Sequence, residues 1–501
     1  MSAIQISSRS VYDLLEEVTA LRTTIAHQGQ TLFDARKHDV QRADFQDSAL
    51  NLFHYLALRH HDLQPLQLQL IHLGLASLGR IEGNVVASLS AIERVLQTLC
   101  NNTLFEPPPS ETAFAGLNRL RSEAECVMGP MPQRRAVRIM VTLPTHAAQD
   151  PAFVAHLMDC GMDCVRINCA HDDVATWQAM IAHVRKAAAE RGRRCPVYMD
   201  IAGPKIRTRA ISFSKKHLFQ TGEILLLTHG NPEATDQFPY QVSCETPEVL
   251  DQVEMGQMVW FDDGKIGTRI VDRVPEGLVL RIEKASPEGT QVRLRKGINF
   301  PDTKLNISPL TAKDLKDLDF IARHADMVGY SFVQVADDIS LLQHELAQRM
   351  DDPAHLEQIA IIAKIETKLA VSNLPELIVR GAGRQPFGVM IARGDLAVEI
   401  GFERLAEMQE EILWICEAAR VPVIWATQVL ESITKHGIPS RAEITDSASG
   451  IQAECVMLNK GDYIAEAVKT LDDVLTRMTR HQYKKFNMLE ALHSWERYVC
   501  D

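Results

Sequence analysis

The sequence predicts an α/β protein: a closed (β/α)8 barrel of the TIM type, with a small all-β lid domain inserted and an all-α region in front. Three observations predict it. Eight short, apolar, β-branched runs recur after residue 136. Helix-like segments separate most of them, which means parallel strands covered on both faces. One interval of about 125 residues interrupts the alternation and carries a different pattern.

The first hundred or so residues read as helical. Val11 to Ala26 places Val11, Leu14, Leu15, Val18, Leu21 and Ile25 near a 3.6-residue period. Ala49–Leu58, Leu66–Leu78 and Val85–Leu99 behave alike. Pro107, Pro108 and Pro109 end the pattern, and Gly129, Pro130 and Pro132 break it again. A domain boundary is expected at the second break.

The eight runs are Val137–Leu143, Asp163–Cys169, Pro196–Ile201, Met327–Phe332, Ile359–Ile365, Phe387–Arg393, Val421–Thr427 and Glu454–Asn459. Helices are expected at Asp173–Arg191, Thr311–Arg323, Phe402–Arg420 and Tyr463–His481. Eight such units suggest a closed barrel rather than an open sheet. Between the third and fourth runs lie Glu223–Thr228, Met258–Phe261, Thr268–Val274, Gly277–Ile282 and Thr290–Leu294, with turn signals such as Asp263-Gly264. These read as an inserted β domain. The expected division is 1–132 helical, 133–208 barrel, 209–297 lid and 298–501 barrel.

At 501 residues, two to four domains are expected from about 150 residues each. With 46% hydrophobic and 24% charged residues, a disordered or collagenous chain is excluded. No apolar run approaches the ~18 residues of a membrane span. Met1 to Ser10 shows no signal-peptide pattern, so a cytoplasmic location is expected. The net charge of −12 argues against nucleic acid as a partner. Of the ten Cys, Cys160, Cys164 and Cys169 lie near His171, but the spacing fits no usual zinc pattern, and buried reduced thiols are expected.

In such a barrel, chemistry sits at the C-terminal ends of the strands. Those ends carry Thr142; Arg166, Asn168 and His171; Asp200, Lys205 and Arg207; Ser331; Lys364 and Glu366; Arg393, Gly394 and Asp395; Thr427; and Asn459 with Lys460. Glu366 and Asp395 leave adjacent strands and could converge on Mg²⁺. Arg166, Arg207 and Lys364 surround them. Cations with such a metal site suit phosphoryl transfer. Gly394 lets backbone amides approach an anion. Asp262-Asp263-Gly264 reads as a hairpin turn, and no P-loop is present.

The stretches GMDCVRINCAH, DIAGPKIRTR, WFDDGKIG, RKGINFP, IIAKIE, VMIARGDLAVEIG and VIWATQVLESITKHGIPSRAEITD, in that order, resemble the pyruvate kinase family. The resemblance runs from about Val137 to Arg477. It implies phosphoryl transfer from phosphoenolpyruvate to ADP, giving pyruvate and ATP. It implies that Glu366 and Asp395 bind Mg²⁺ or Mn²⁺, and that Lys364, Arg166 and Thr427 are catalytic. Arg393, Gly394, Asp395 and Thr427 would hold the substrate. Asn168, His171, Arg207 and Lys296 would meet the nucleotide. A homo-oligomer through barrel faces is the family expectation.

The departures carry expectations too. Where many members bind K⁺, this chain has Asn168, Ala170, Asp200 and Ile201, and Lys205 replaces the usual Glu. This resembles the K⁺-independent branch: the tethered ammonium of Lys205 would substitute for a cation beside Asp200. Ala202 replaces a usual Lys, and the loop at Asn459-Lys460 lacks a Ser, a Glu and a Thr. Those changes leave two alternatives open, a related Mg²⁺-enolate enzyme or a catalytically weak paralogue acting as a binding subunit. The family's C-terminal effector domain is not seen before Asp501, so control by that route is not expected.

Overall fold

All eight apolar runs are strands in the computed structural model, which describes residues 10–102, 104–350, 352–484 and 486–487. The stretch Met1 to Ser10 read for a leader lies outside these residues except for Ser10, and so does Asp501. In chain order the strands begin with β1 (Arg138–Thr142), β2 (Cys164–Asn168) and β3 (Val197–Asp200). Next come β4 (Thr208–Ile211), β5 (Ile224–Thr228), β6 (Gln241–Cys244), β7 (Met258–Phe261), β8 (Ile266–Val274), β9 (Gly277–Lys284) and β10 (Ile298–Asn299). The last are β11 (Met327–Tyr330), β12 (Ala360–Ile365), β13 (Phe387–Ala392), β14 (Val423–Ala426) and β15 (Cys455–Leu458).

The first three and last five strands pair in parallel, and β15 closes on β1. The barrel is filled, as small barrels must be, by inward side chains such as Met140, Cys164, Tyr198, Met327, Ile362 and Met390. Asp200 lies level with Asn168 on one side and Gly329 on the other. A Cβ at Gly329 would stand 2.7 Å from Asp200 Oδ1 and collide with the Tyr198 ring. That glycine makes room for the charge at the mouth.

The four barrel helices expected from the sequence form within a few residues of their expected ends, at Val174–Glu190, Ala312–His324, Leu405–Ala418 and Ile464–His481. The second opens with a capping box, Thr311 and Asp314. Asp314 Oδ1 also accepts from the amides of Ala202 and Gly203 at 3.1 and 3.3 Å, fixing the turn that leaves β3.

The inserted segment is a seven-stranded sheet, ordered β10-β7-β8-β9-β5-β6-β4. It has a separate apolar core that includes Phe219, Leu225, Val259, Phe261 and Leu280. One expectation fails here. Thr290–Leu294 is not a strand; Thr290 makes only an isolated bridge to Phe219. Arg293 turns instead to Asp262, 2.8 Å away. Strands β4, β6 and β10 were not anticipated, because two to four residues are too few to display a period.

The amino-terminal region is helical at Val11–Asp34, Gln46–Leu58, Gln64–His72 and Val85–Asn101. The third helix stops short of the expected Leu78, and Gly74 follows with φ 71°. A further helix, Ala115–Met128, lies between the two proline breaks and was not read from the sequence. Charged residues mask its narrow buried stripe. Its end enters the barrel floor: Val127 and Met128 join the interior cluster, Cys164 Sγ contacts Met128 O at 3.1 Å, and Arg138 Nε donates to Gly129 O at 2.8 Å. The other helices share one core with the outside of the barrel. Among the described residues, no helix is long and apolar enough to cross a membrane.

Buried Asn51 pins this docking. Its amide nitrogen donates to Glu82 O at 2.7 Å and to Ala418 O at 2.8 Å, and its oxygen accepts from Val85 N at 2.9 Å. Asn51→Ala strands three buried backbone groups, so it should cost about 2–4 kcal/mol, read as a lowered urea midpoint with unchanged slope.

Candidate active site

The mouth of the barrel is organised around Asp200, a carboxylate only 1% exposed. Arg166 donates to Asp200 Oδ2 through Nε at 2.8 Å and a terminal nitrogen at 2.6 Å. Lys364 Nζ lies 3.4 Å from Asp200 Oδ1, 3.0 Å from Glu366 Oε1, and donates to Ser331 Oγ at 2.7 Å. Ser331 Oγ in turn donates to Ile201 O at 2.8 Å. Glu366 Oε2 accepts from Phe332 N at 2.6 Å. Arg166 also reaches Thr142 Oγ1 at 3.1 Å and Asn459 Oδ1 at 3.5 Å. Groups from β1, β2, β3, β11, β12 and the loop after β15 thus meet at one point.

Burial would push the Asp200 carboxyl up, but Lys364 and Arg166 outweigh it and hold the group below its usual range. Burial pulls Lys364 down, yet Asp200 and Glu366 lift it above its ordinary value. Glu366 is raised, first by burial and then by like-charge repulsion from Asp395, with Lys364 opposing. Two hard carboxylates that repel each other, with substrate oxygens and water to complete the shell, fit Mg²⁺ or Mn²⁺. Among the described residues no cluster of three or more His, Cys, Asp or Glu side chains that could hold a metal ion occurs.

The structure places the remaining expected residues unevenly. Gly394 N donates to Thr427 Oγ1 at 2.9 Å, which brings those two together. Thr427, Gln428 and Leu430 all have φ between 48° and 65°, a strained turn leaving β14. Arg393 does not face the cluster. Its guanidinium pairs with Asp446, donates to Ala426 O and Thr427 O at 2.9 and 2.7 Å, and stacks 4.6 Å from the Trp425 ring. It braces the Thr427 turn. Lys205 was expected beside Asp200. Its ammonium instead donates to Asp395 Oδ1 at 2.6 Å and lies 3.8 Å from Asp263. Asp200 already engages Arg166 and Lys364, whereas Asp395 has an oxygen to offer.

Of the residues expected to meet the nucleotide, Asn168 accepts through Oδ1 from Ala170 N at 3.1 Å and closes its own turn. His171 is exposed, and its ring is held below its usual pKa by burial and then by Lys460. Arg207 donates to Arg295 O at 3.3 Å, where the chain enters the lid. Lys296 Nζ lies 3.3 Å from Asp262, which Arg293 and Lys265 also approach, at 2.8 and 3.3 Å. The Asp262-Asp263-Gly264 turn is therefore both a left-handed hairpin turn and the anion that gathers the lid's cations. Cys160, Cys164 and Cys169 do not converge: Cys164 faces the barrel interior and the other two lie outside it.

A closed parallel barrel with an inserted β lid and a buried Asp–Arg–Lys–Glu cluster at its mouth defines the class: a barrel enzyme scaffold built for anionic ligands. A family model described as "Pyruvate kinase, barrel domain" matches residues 126–468. The chain belongs to the pyruvate kinase family. It is 32% identical over 353 residues to a pyruvate kinase of Geobacillus stearothermophilus, covering 69% of this chain and 57% of that protein. It is 30% identical over 375 residues to pyruvate kinase 1 of Trypanosoma brucei brucei, covering 73% and 72%. A pyruvate kinase of Agrobacterium vitis matches at 31% over 364 residues, covering 71% and 72%.

One ionisable group was missed by sequence reasoning. Glu399, in the helix after β13, accepts from Asn299 Nδ2 of β10 at 3.1 Å, a bond between barrel and lid. Both residues lie inside the family motifs, but nothing in those motifs pairs them. Burial, with Asp395, Asp302 and Glu366 adding and Asn299 opposing, pushes the Glu399 carboxyl up to about 7 from 4.5. The native state therefore holds a proton that the unfolded chain releases above about pH 4.3. Its contribution to stability is fully present below that pH and is lost as pH rises towards 7. Glu399→Gln should gain melting temperature relative to the parent across pH 4.5–7.5; a constant difference would contradict the assignment.

Proposed function

We propose that the chain is a pyruvate kinase: it moves the phosphoryl group of phosphoenolpyruvate to ADP, and the enolate left behind is protonated at carbon to give pyruvate. The observation that carries this is Lys364, whose ammonium is held among Asp200, Glu366 and Ser331 beside the Arg166 guanidinium. Fixed cations at the point of transfer supply charge neutralisation with no reorganisation. Arg166 and Lys364 meet the phosphoryl oxygens. Glu366 and Asp395 would hold Mg²⁺ or Mn²⁺, which supplies further neutralisation of phosphoryl and enolate oxygens. The amides at Gly394 and Asp395 and the Thr427 hydroxyl take the carboxylate, and Thr427 lies on the route of the proton. Arg393 positions that turn. Asn168, His171, Arg207 and Lys296 face the nucleotide phosphates.

We infer that activity does not require K⁺. Lys205 brings a permanent positive charge to the same mouth, at Asp395 rather than at Asp200. We also propose a homo-oligomer, formed through barrel faces that the amino-terminal helices leave uncovered.

Pyruvate formation from phosphoenolpyruvate, ADP and Mg²⁺ in K⁺-free buffer tests both statements. Lys364→Ala should lower kcat by about 10³-fold or more, as loss of a preorganised charge does. Turnover that depends strictly on K⁺ would overturn the second statement. No turnover from folded protein, with or without K⁺, would overturn the first.

A further inference from the structure

A cavity of about 400 Å³ lies at the hinge between lid and barrel, with Lys205 and Phe332 in its lining. A second, of about 340 Å³, continues from it and shares Pro204, Leu305, Phe332 and Leu369. Pro204 belongs to the segment leaving the barrel and Leu305 to the segment returning from the lid. Phe332 lies in the loop after β11, and Leu369 in the short helix Lys368–Ser372 after β12. Volumes in this range suit a small organic ligand.

About half of the residues lining the first cavity are polar. Glu399, bonded on one oxygen by Asn299, lines the first cavity and is only partly shielded from it. Lys304 and Lys368 stand exposed at the rim, and neither makes an ion pair among the described residues. Asp302, also at the rim, accepts from Met258 N at 2.9 Å. Burial and neighbouring acids push the Glu399 carboxyl up to about 7, so below that pH the floor offers a hydrogen-bond donor. At the rim of the first cavity two lysines stand against Asp302, and Asp338 lines the second cavity, where it accepts from the amides of Gln334 and Val335 at 2.8 and 3.0 Å.

We propose that this hinge cleft is a ligand site for a small organic anion with an apolar body. The body packs between Pro204, Leu305, Phe332 and Leu369. The anionic group meets Lys304 and Lys368. An occupant there lies against both linkers of the lid, so it sets how far the lid can swing. Of the groups at the barrel mouth, the cleft is walled only by Lys205 and by Phe332, whose amide holds Glu366.

The test uses 2-naphthoate with the full chain. Binding is measured by calorimetry and located by hydrogen exchange. The expected result is saturable binding with protection at 204–206, 298–307 and 367–372. Affinity should fall about tenfold in the double variant Lys304→Glu, Lys368→Glu, and by a similar factor for the uncharged naphthalene-2-carboxamide. Both substitutions are on exposed side chains and leave the fold intact. Leu369→Arg, which fills the cavity, should abolish binding. The proposal is overturned by absence of saturable binding, by protection elsewhere, or by affinity that neither charge reversal nor the carboxamide alters.

Discussion

A carboxylate buried at the centre of a barrel mouth is expensive unless it is paired and hydrogen-bonded. Asp200 sets that condition for the whole site. Arg166 must come from β2 and Lys364 from β12 to satisfy it, and Ser331 must sit where it can bind Lys364. Gly329 must lack a side chain to leave room. Once Lys364 is fixed on Asp200, it also holds Glu366 at 3.0 Å. The cation that neutralises the structural acid is thus the one to which the proposed function gives the transferred phosphoryl group. Stability and chemistry draw on the same ion pairs, so neither partner can change without exposing the other to an unpaired buried charge.

Much of the fold was legible because barrel strands are buried on both faces. Runs such as Ala360–Ala363 or Val389–Ala392 are apolar throughout and have no other place to go. The lid was only half legible. Its long strands β8 and β9 alternate, whereas β4, β6 and β10 are held by neighbours rather than by their own pattern. Thr290–Leu294 looked like a strand, but Arg293 answers to Asp262. At the site, the strand pattern put Lys364, Glu366, Asp395, Arg166 and Thr427 at or just beyond the ends of barrel strands, which is where they lie. It could not say where long side chains point. Arg393 and Lys205 each have several anions within reach, and the nearest unsatisfied one decides.

The strand ends also store conformational strain where the substrate would sit. Phe332 follows β11 with φ 56°, and Thr427 follows β14 with φ 65°. Such geometry costs about 1–3 kcal/mol per residue and persists only when surroundings impose it. Here the surroundings are identifiable. The Phe332 amide is held by Glu366, and the Thr427 turn is clamped by Arg393 against Asp446 and Trp425. The strain brings a backbone amide or a hydroxyl to the mouth that an extended chain would direct into the wall.

The lid is joined to this mouth by a different kind of contact. It has its own apolar core, and that core does not merge with the barrel's. The links across are few: Lys205 between Asp395 and Asp263, Asn299 on Glu399, and the Gly264 turn against Phe402 and Val398. The Lys205–Asp395 pair is largely shielded from water, whereas Asp263 is exposed, and a neutral hydrogen bond contributes about 0.5–1.5 kcal/mol. A lid with its own core and these cross-links can open without unfolding either core. Every one of these links lies within a few residues of Asp395 or of the hinge cleft. The same short stretch of chain that presents Asp395 therefore also carries the contacts that set the lid's resting position.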